Sequence, residues 1–392
     1  MVPTFASPHE VPEVSGTADA AQHAFAELLA HADIELMGER PWDIHVNNPR
    51  TFRRILKYGS IGLGESYVDG WWDCERIDEF ICRVLQARLD QKVHNPALAI
   101  LALKAKLMNQ QSVPRSWKVA QAHYDLGNDL FQAMLDPTMA YSCGYWRDAA
   151  TLEEAQNAKL DLVCKKLLLR PGMRLLDIGC GWGSLMRYAT EHYGVECVGV
   201  TVSKEQKALG QTLTRGLPVQ FELTDYRLFN QQGVKKFDRI ASIGMFEHVG
   251  YKNYSVYLDV VRRSIADDGL FLLHTIGKNR KGLGLDPWIE KYIFPNGYLP
   301  ALSELAEVAE TRFVIEDIHN FGADYDRTLM AWLENFDAAW DRLKTHYPPQ
   351  FRRMWRYYLM ACAGTFRARD NQLWQWVMSP RGHVGGYRRP TT

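Results

Sequence analysis

The sequence predicts an α/β protein: a doubly wound, Rossmann-like, largely parallel sheet with a small, mostly helical domain ahead of it. Three observations carry this. From residue 173 onward, short apolar runs alternate with helical stretches. A glycine-punctuated segment, Leu175-Leu-Asp-Ile-Gly-Cys-Gly-Trp-Gly183, closes the first of those runs. The chain has 392 residues, more than one core usually serves, so two domains are expected.

Residues 1–19 are rich in Pro, Ser, Ala and Glu and read as a flexible tail. Residues 20–108 read as a domain of their own. Within it, 21–37 are one or two helices, Trp42-Asp-Ile-His-Val46 is a short strand, and 62–73 is a glycine- and aromatic-rich stretch. A helix is expected over 77–103. The polar stretch 109–116, with Pro114, is the expected linker, and 117–392 the expected catalytic domain. Strands are predicted at 173–178, 195–201, 218–223, 237–243, 270–276 and 313–320. Helices are predicted from about Trp182, Ser203, Tyr251 and Leu302, and over 327–346 and 350–376.

Bulk composition excludes several classes. Net charge is zero, so no global field favours nucleic acid or anionic membrane. The seven cysteines, Cys74, Cys82, Cys143, Cys164, Cys180, Cys197 and Cys362, form no Cys-x-x-Cys pair. They read as reduced thiols, with neither disulfides nor a metal site expected. The first Lys or Arg is Arg40, and the longest apolar run, 97–103, is too short to span a bilayer. A cytoplasmic protein is expected, with any membrane contact peripheral.

Ligands of an open α/β sheet lie at the carboxyl ends of its strands. Gly179, Gly181 and Gly183 follow the first strand, where absent side chains let a ligand approach the backbone. Such glycines often serve only a tight turn, so context must decide. Asp177 precedes them. Ser184 breaks the dinucleotide pattern Gly-x-Gly-x-x-Gly/Ala, and no phosphate-binding Gly-Lys-Ser/Thr occurs. A cofactor without phosphates fits better, and S-adenosylmethionine is expected, with Asp177 facing its ammonium. The second strand, Val198-Gly-Val-Thr-Val-Ser-Lys-Glu-Gln206, ends without the acidic residue that often holds a ribose. Thr201 and Gln206 are the expected substitutes. Asp225 and Tyr226, after the third strand, suit the adenine.

Several segments together resemble the cyclopropane-fatty-acyl-phospholipid synthases and their relatives that act on mycolic acids. They include His123-Tyr-Asp-Leu-Gly-Asn-Asp129, Met139-Ala-Tyr-Ser-Cys-Gly-Tyr-Trp146, the glycine loop and Gly244-Met-Phe-Glu-His-Val-Gly250. Further on come Leu272-Leu-His-Thr-Ile-Gly277, Asp286-Pro-Trp-Ile-Glu-Lys-Tyr292, His319-Asn-Phe-Gly-Ala-Asp-Tyr-Asp326 and Ala361-Cys-Ala-Gly-Thr-Phe-Arg367. Gly64-Glu-Ser-Tyr-Val-Asp-Gly-Trp-Trp72 resembles the branch that acts on phospholipids. The resemblance covers about residues 40–380. It implies a methyltransferase-like fold and transfer of a methylene group from S-adenosylmethionine to the cis double bond of a phospholipid acyl chain, closing a cyclopropane ring.

An alkene is a weak, neutral nucleophile, so positioning must supply much of the rate. A carbocation then needs an electron-rich, dry surrounding, for which Tyr141, Tyr145, Trp146, Phe246, Tyr292, Phe294 and Tyr325 are candidates, although each could equally be core. The resemblance implies that a bound bicarbonate takes the final proton. Its holders would be Glu247, His274 and Tyr325, with backbone groups of Cys143 and Ile276. Tyr141 and Ser142 join the cofactor set. Glu247 could instead stabilise a helix start, and His274 could be an ordinary core histidine. Cys362 is the family's old nucleophile candidate; attack by the alkene needs no thiolate, and a buried structural thiol is the plainer reading.

The substrate lies in a bilayer. Residues 351–392 carry eight arginines and one aspartate, interleaved with Trp355, Tyr357, Tyr358, Trp374 and Trp376. That mixture suits a headgroup interface, as does 96–108 with Lys104 and Lys106. No nucleic-acid-binding signature accompanies it. The resemblance further implies lipid recognition by the N-terminal domain, association with the inner face of the membrane and a possible homodimer. Alternatives are another lipid or small-molecule methyltransferase on the same scaffold, a silent lipid-binding protein and, least well matched, a nicotinamide oxidoreductase.

Overall fold

The computed structural model describes residues 18–89, 127–282 and 284–390. The expected tail through residue 17, the basic stretch 96–108, the linker 109–116 and residues 123–126 of the His123 segment lie outside these. The described residues fall into two compact units. One gathers 18–89 with Leu285–Pro295 and Leu329–Asp370, and the other holds the rest. A single cut near 109–116 therefore does not describe the division. Two later segments cluster with the N-terminal residues because they supply the apolar partners those residues need.

In the first unit, helices Ala18–Ala30, Arg50–Tyr58, Ser60–Val68 and Ile77–Gln86 surround a two-stranded ladder of β1 (His45–Val46) and β2 (Trp72–Asp73). Helix Pro287–Tyr292 starts on Asp286, whose carboxylate accepts the N–H groups of Trp288 and Ile289, with Pro287 at the first turn. Helix Pro349–Arg367 approaches Ile77–Gln86 at Gly364, where a Cβ would lie 2.5 Å from the Asp78 carbonyl oxygen. Tyr357 packs against the rings of Trp288, Tyr67 and Trp72.

The second unit is a seven-stranded sheet. Its strands are β3 (Arg174–Ile178), β4 (Glu196–Thr201), β5 (Val219–Leu223), β6 (Phe237–Ile243), β7 (Ile265–Lys278), β8 (Val314–Asn320) and β9 (Asn371–Ser379). The order is β5-β4-β3-β6-β7-β9-β8. The first five are parallel, and β9 runs antiparallel between β7 and β8. The six predicted strands are all present, and helices follow at Ser184–Tyr193, Lys204–Leu213, Tyr254–Ser264 and Leu302–Ala309. Two helix ends differ from expectation: the helix begun at Ile77 stops at Gln86, with Arg88 at φ +54°, and the expected stretch beyond residue 89 lies outside the described residues. The last helix was expected to run to residue 376, but it stops at Arg367, Arg369 turns the chain with φ +62°, and β9 begins. Every residue of β9 after Asn371 is buried, so the polar/apolar alternation that marks a half-exposed strand is missing.

One sheet face carries a core of Ile240, Phe246, Tyr254, Val261, Phe271 and Trp376. The other packs Leu175, Ala241, Leu272 and Val377 under Leu160, Val163 and Cys164 of helix Leu152–Lys166. That helix opens on a reciprocal cap between Thr151 and Glu154, which fixes its start.

Gly64 sits on helix Ser60–Val68 with its Cα against the Trp288 indole, and a Cβ there would lie 2.5 Å from two ring atoms. Gly64→Ala should therefore destabilise the protein by about 2 kcal/mol, read as a lower denaturant midpoint. A gain of about 1 kcal/mol, the helix-propensity effect alone, would contradict this packing.

Candidate active site

The strand order reverses at β3, which pairs with β4 on one side and β6 on the other. A ligand crevice is expected beyond the carboxyl ends of these strands. A cleft of about 550 Å3 lies there. Asp177, Gly179 and Gly181 form its floor, Tyr141 and Ser142 one wall, and Gln206, Ile243 and Gly244 others. Gly181 has φ +54° and nothing within 4 Å of where a Cβ would be, so the backbone itself is open to a ligand. Gly183 is needed for packing instead, and Gly179, which lines the cleft, is needed for both. A Cβ at Gly179 would meet Met245 at 2.5 Å and one at Gly183 would meet Phe221 at 2.7 Å, and Gly183 is not among the lining residues.

Tyr141 and Ser142 are positioned by residues that the sequence reading did not single out. Asp136 accepts the N–H groups of Thr138 and Ala140, which holds Met139 at φ +61°. Thr328 Oγ1 accepts the Gly144 N–H at 3.0 Å and the Trp146 Nε1–H at 2.8 Å. Lys159, on helix Leu152–Lys166, donates to Ser142 Oγ at 2.9 Å.

Two opposite charges line this cleft, both almost fully buried: Asp177 is 3% exposed and Lys159 2%. Burial raises the Asp177 carboxyl to about 7, against the pull of Lys159. Burial likewise lowers the Lys159 ammonium to about 8. Asp177 Oδ1 has no hydrogen-bond partner among the described residues. An acidic and a basic group in one cleft match the ammonium and carboxylate of an amino-acid-bearing cofactor. S-adenosylmethionine is such a molecule.

Thr201 does not line the cleft; its Oγ1 donates to Gln206 Oε1 at 3.0 Å. This turns the Gln206 amide, and Ser203 Oγ pins the Gln206 backbone. Thr201 thus acts through Gln206. Asp225 and Tyr226 are not brought to the cleft. The Asp225 carboxylate is held by Arg227 at 2.7 Å on both oxygens, and the Tyr226 ring packs on Tyr257 in the core.

A second polar group adjoins this cleft. His274 on β7 stands in register with Ile243 of β6, and its carbonyl accepts the Gly244 N–H at 3.0 Å; Ile243 and Gly244 both line the cleft. Glu247, in the turn Phe246–His248 after β6, accepts the Ile276 N–H on Oε1 at 2.7 Å. Ile276 is two residues beyond His274, so the carboxylate sits at the same strand end. The Ile276 N–H, expected to face an anion, is thus engaged by Glu247, and its carbonyl accepts from Thr275 Oγ1. Glu247 Oε2 and His274 Nε2 are buried and have no hydrogen-bond partner among the described residues. Burial raises Glu247 to about 7. It drives His274 well below its ordinary value, with Lys159 and Lys166 repelling the proton further. Burial also holds the Cys143 thiol well above its ordinary value. Tyr325 stands in the first turn of helix Ala323–Leu343 and is 9% exposed.

Other expectations resolve differently. Cys362 lies in the first unit, on helix Pro349–Arg367, and burial pushes its thiol far up, so little thiolate is present. Phe246 stacks on Tyr254 in the core, and Tyr292 donates to Glu65. The basic-aromatic headgroup interface does not form as expected. Trp355, Tyr357, Tyr358, Trp374 and Trp376 are all buried. Arg352 and Arg356 pair with Asp337, Arg353 with Asp73, Arg367 with Asp78, Arg381 with Asp267 and Arg389 with Asp317.

The chain is similar to known proteins. A profile described as mycolic acid cyclopropane synthetase matches residues 111–376. The chain is 54% identical over 379 residues to the cyclopropane-fatty-acyl-phospholipid synthase of Escherichia coli strain K12, covering 96% of this chain and 98% of that one. It is similar to the structure of the cyclopropane synthase MmaA2 from Mycobacterium tuberculosis, at 36% identity and a TM-score of 0.63 over 67% of this chain and 97% of that one. The mycolic acid cyclopropane synthase CmaA1, complexed with SAH and CTAB, matches at 35% identity and a TM-score of 0.62 with the same coverages. The fold is the Rossmann-like one of S-adenosylmethionine-dependent methyltransferases.

Ionised Glu247 strains the fold. Its carboxyl titrates near 7 when folded and near its ordinary 4.5 when unfolded, so the folded chain binds more protons between those values. Its contribution to stability is therefore lost as pH rises through that window, by up to about 3 kcal/mol. Glu247→Gln should be more stable than wild type at pH 8, with the gap closing toward pH 5 in denaturant titrations. Equal stabilities at pH 8 would contradict this.

Proposed function

The chain belongs to the cyclopropane-fatty-acyl-phospholipid synthase family, whose members are S-adenosylmethionine-dependent transferases, and on that premise we propose that it closes a cyclopropane ring on the cis double bond of an unsaturated phospholipid acyl chain. One observation carries the reading. Beside the cofactor cleft stand a buried acceptor and a buried ring nitrogen, Glu247 Oε2 and His274 Nε2, each without a partner among the described residues. A protein does not leave such atoms unsatisfied without cost, about 1–3 kcal/mol each. A small polar ligand that accepts from one and donates to the other removes that cost, and bicarbonate has both capacities.

S-adenosylmethionine supplies the methylene carbon from its sulfonium methyl and leaves as S-adenosylhomocysteine. Asp177, Lys159, Gln206 and the Gly181 backbone would hold it. The alkene needs no base to react, so these residues act by fixing position and excluding water. Bicarbonate supplies the base for the proton that must leave the added carbon before the ring closes. Glu247, once ionised, accepts its hydroxyl, which orients it and raises its basicity. Neutral His274 donates to an oxygen, as would the Tyr325 phenol. The substrate brings the protein to a membrane surface; no helix among the described residues is long and apolar enough to cross one.

The lowered proton affinity of His274 fits this role, because an uncharged imidazole stabilises the base without quenching it. Another lipid methyltransferase on this scaffold would leave a methyl branch. Incubation with phospholipid vesicles and labelled cofactor separates the two: either product gains one CH2, but a methyl-branched alkene then takes up H2 on mild hydrogenation, whereas the ring has no double bond left to reduce. Glu247→Ala, His274→Ala and Tyr325→Phe should each lower turnover by roughly a hundredfold or more. Cofactor affinity by calorimetry should stay within about threefold, since these groups lie beside the cofactor cleft and not in it. Wild-type turnover in all three variants would end the proposal.

A further inference from the structure

The sheet sets three polar side chains in one row across adjacent strands: His274 on β7 and His319 on β8 are each register partners of Gln375 on β9 between them. Side chains opposite one another on neighbouring strands share a face. Gln375 is fully buried, and its Nε2 lies 3.2 Å from His274 Nδ1. Lys166, the last residue of helix Leu152–Lys166 and also fully buried, donates from Nζ to Gln375 Oε1 at 2.9 Å. The same Nζ lies 3.0 Å from His319 Nδ1 and 4.0 Å from Asp317. Gln375, Lys166, His319 and Asp317 do not line the cofactor cleft, and the mechanism above uses none of them.

We propose that Lys166 and Gln375 are positioning residues that fix the tautomer of His274, so that its one ring proton sits on Nε2. Lys166 claims the amide oxygen, so the Gln375 NH2 is what remains to face the imidazole. An NH2 group donates, so Nδ1 must accept and cannot carry the proton. Nε2–H is then the donor, and Nε2 is the ring atom left without a partner among the described residues. A neutral histidine free to choose would present a lone pair part of the time and would repel an anion's oxygen. Asp317, held by Arg389, keeps Lys166 in place from the other side.

The inference rests on the reading that His274 donates to an anionic base, but its test does not depend on turnover. In full-length protein with 15N-labelled histidine, the ring-nitrogen shifts of His274, assigned by comparison with His274→Ala, should show a proton on Nε2 and none on Nδ1. Gln375→Met and Lys166→Met should each give a mixture of the two tautomers and at least a tenfold fall in kcat, with the cofactor KM within twofold. Lys166→Met leaves the β9 side chain in place, so it serves if Gln375→Met does not fold. A proton on Nδ1 in the wild type, or the wild-type tautomer in both variants, overturns the inference. A tautomer change with turnover intact, alongside a fully active His274→Ala, would leave the relay standing and sink the functional reading.

Discussion

Two buried lysines on a single helix organise this site. Lys159 and Lys166 are seven residues apart on Leu152–Lys166, two turns and roughly 10 Å along one side. The apolar residues between them, Leu160, Val163 and Cys164, anchor the helix to the sheet and carry both ammonium groups out of water. A buried ammonium costs several kcal/mol unless it finds acceptors. Each lysine therefore imposes order on its surroundings. Lys159 fixes Ser142 at the cofactor cleft and restrains Asp177, while Lys166 fixes Gln375 and His319. Burial and both charges together keep His274 from protonating. The helix start is capped and its core face is continuous, so the two lysines cannot move independently of the sheet.

Around them the fold leaves groups unmatched. Asp177 Oδ1, Glu247 Oε2 and His274 Nε2 are buried without partners among the described residues. The same unit also leaves Thr138 Oγ1, Gln156 Oε1 and the Tyr226, Tyr254 and Tyr257 hydroxyls buried without partners among the described residues, so what distinguishes the three is their place: Asp177 lines the cleft, and Glu247 and His274 stand beside it. Three titratable groups left unmatched at one end of the sheet suit the zwitterionic cofactor and the small anion proposed above. Stability given up at Glu247 and Asp177 is the counterpart of affinity for what binds there.

Much of this was legible in the sequence. Parallel strands with glycine at a strand–helix junction marked the fold and the cleft, because the backbone needs positive φ and open space at Gly181. The Glu247 and His274 motifs marked the second group. Four features were not legible, each for a physical reason. β9 is covered on both faces and so lost its alternation. The arginines at 352–389 pair with carboxylates distant in sequence, and nothing local announces those partners. Asp225 looked free until Arg227, two residues on, folded back on it. Lys159 and Lys166 were not singled out, although their spacing from Leu160 and Val163 places them on the apolar side of their helix. A lysine at an apolar position of an amphipathic helix was the available signal for the part of the site that was missed.

Glu247 and His274 are proposed to hold a bicarbonate base. The most direct test is turnover on unsaturated phospholipid vesicles in buffer stripped of carbon dioxide, with bicarbonate then added back. The account predicts that turnover collapses on depletion and returns along a saturating curve as bicarbonate is restored. Turnover that is unchanged in depleted buffer would contradict it.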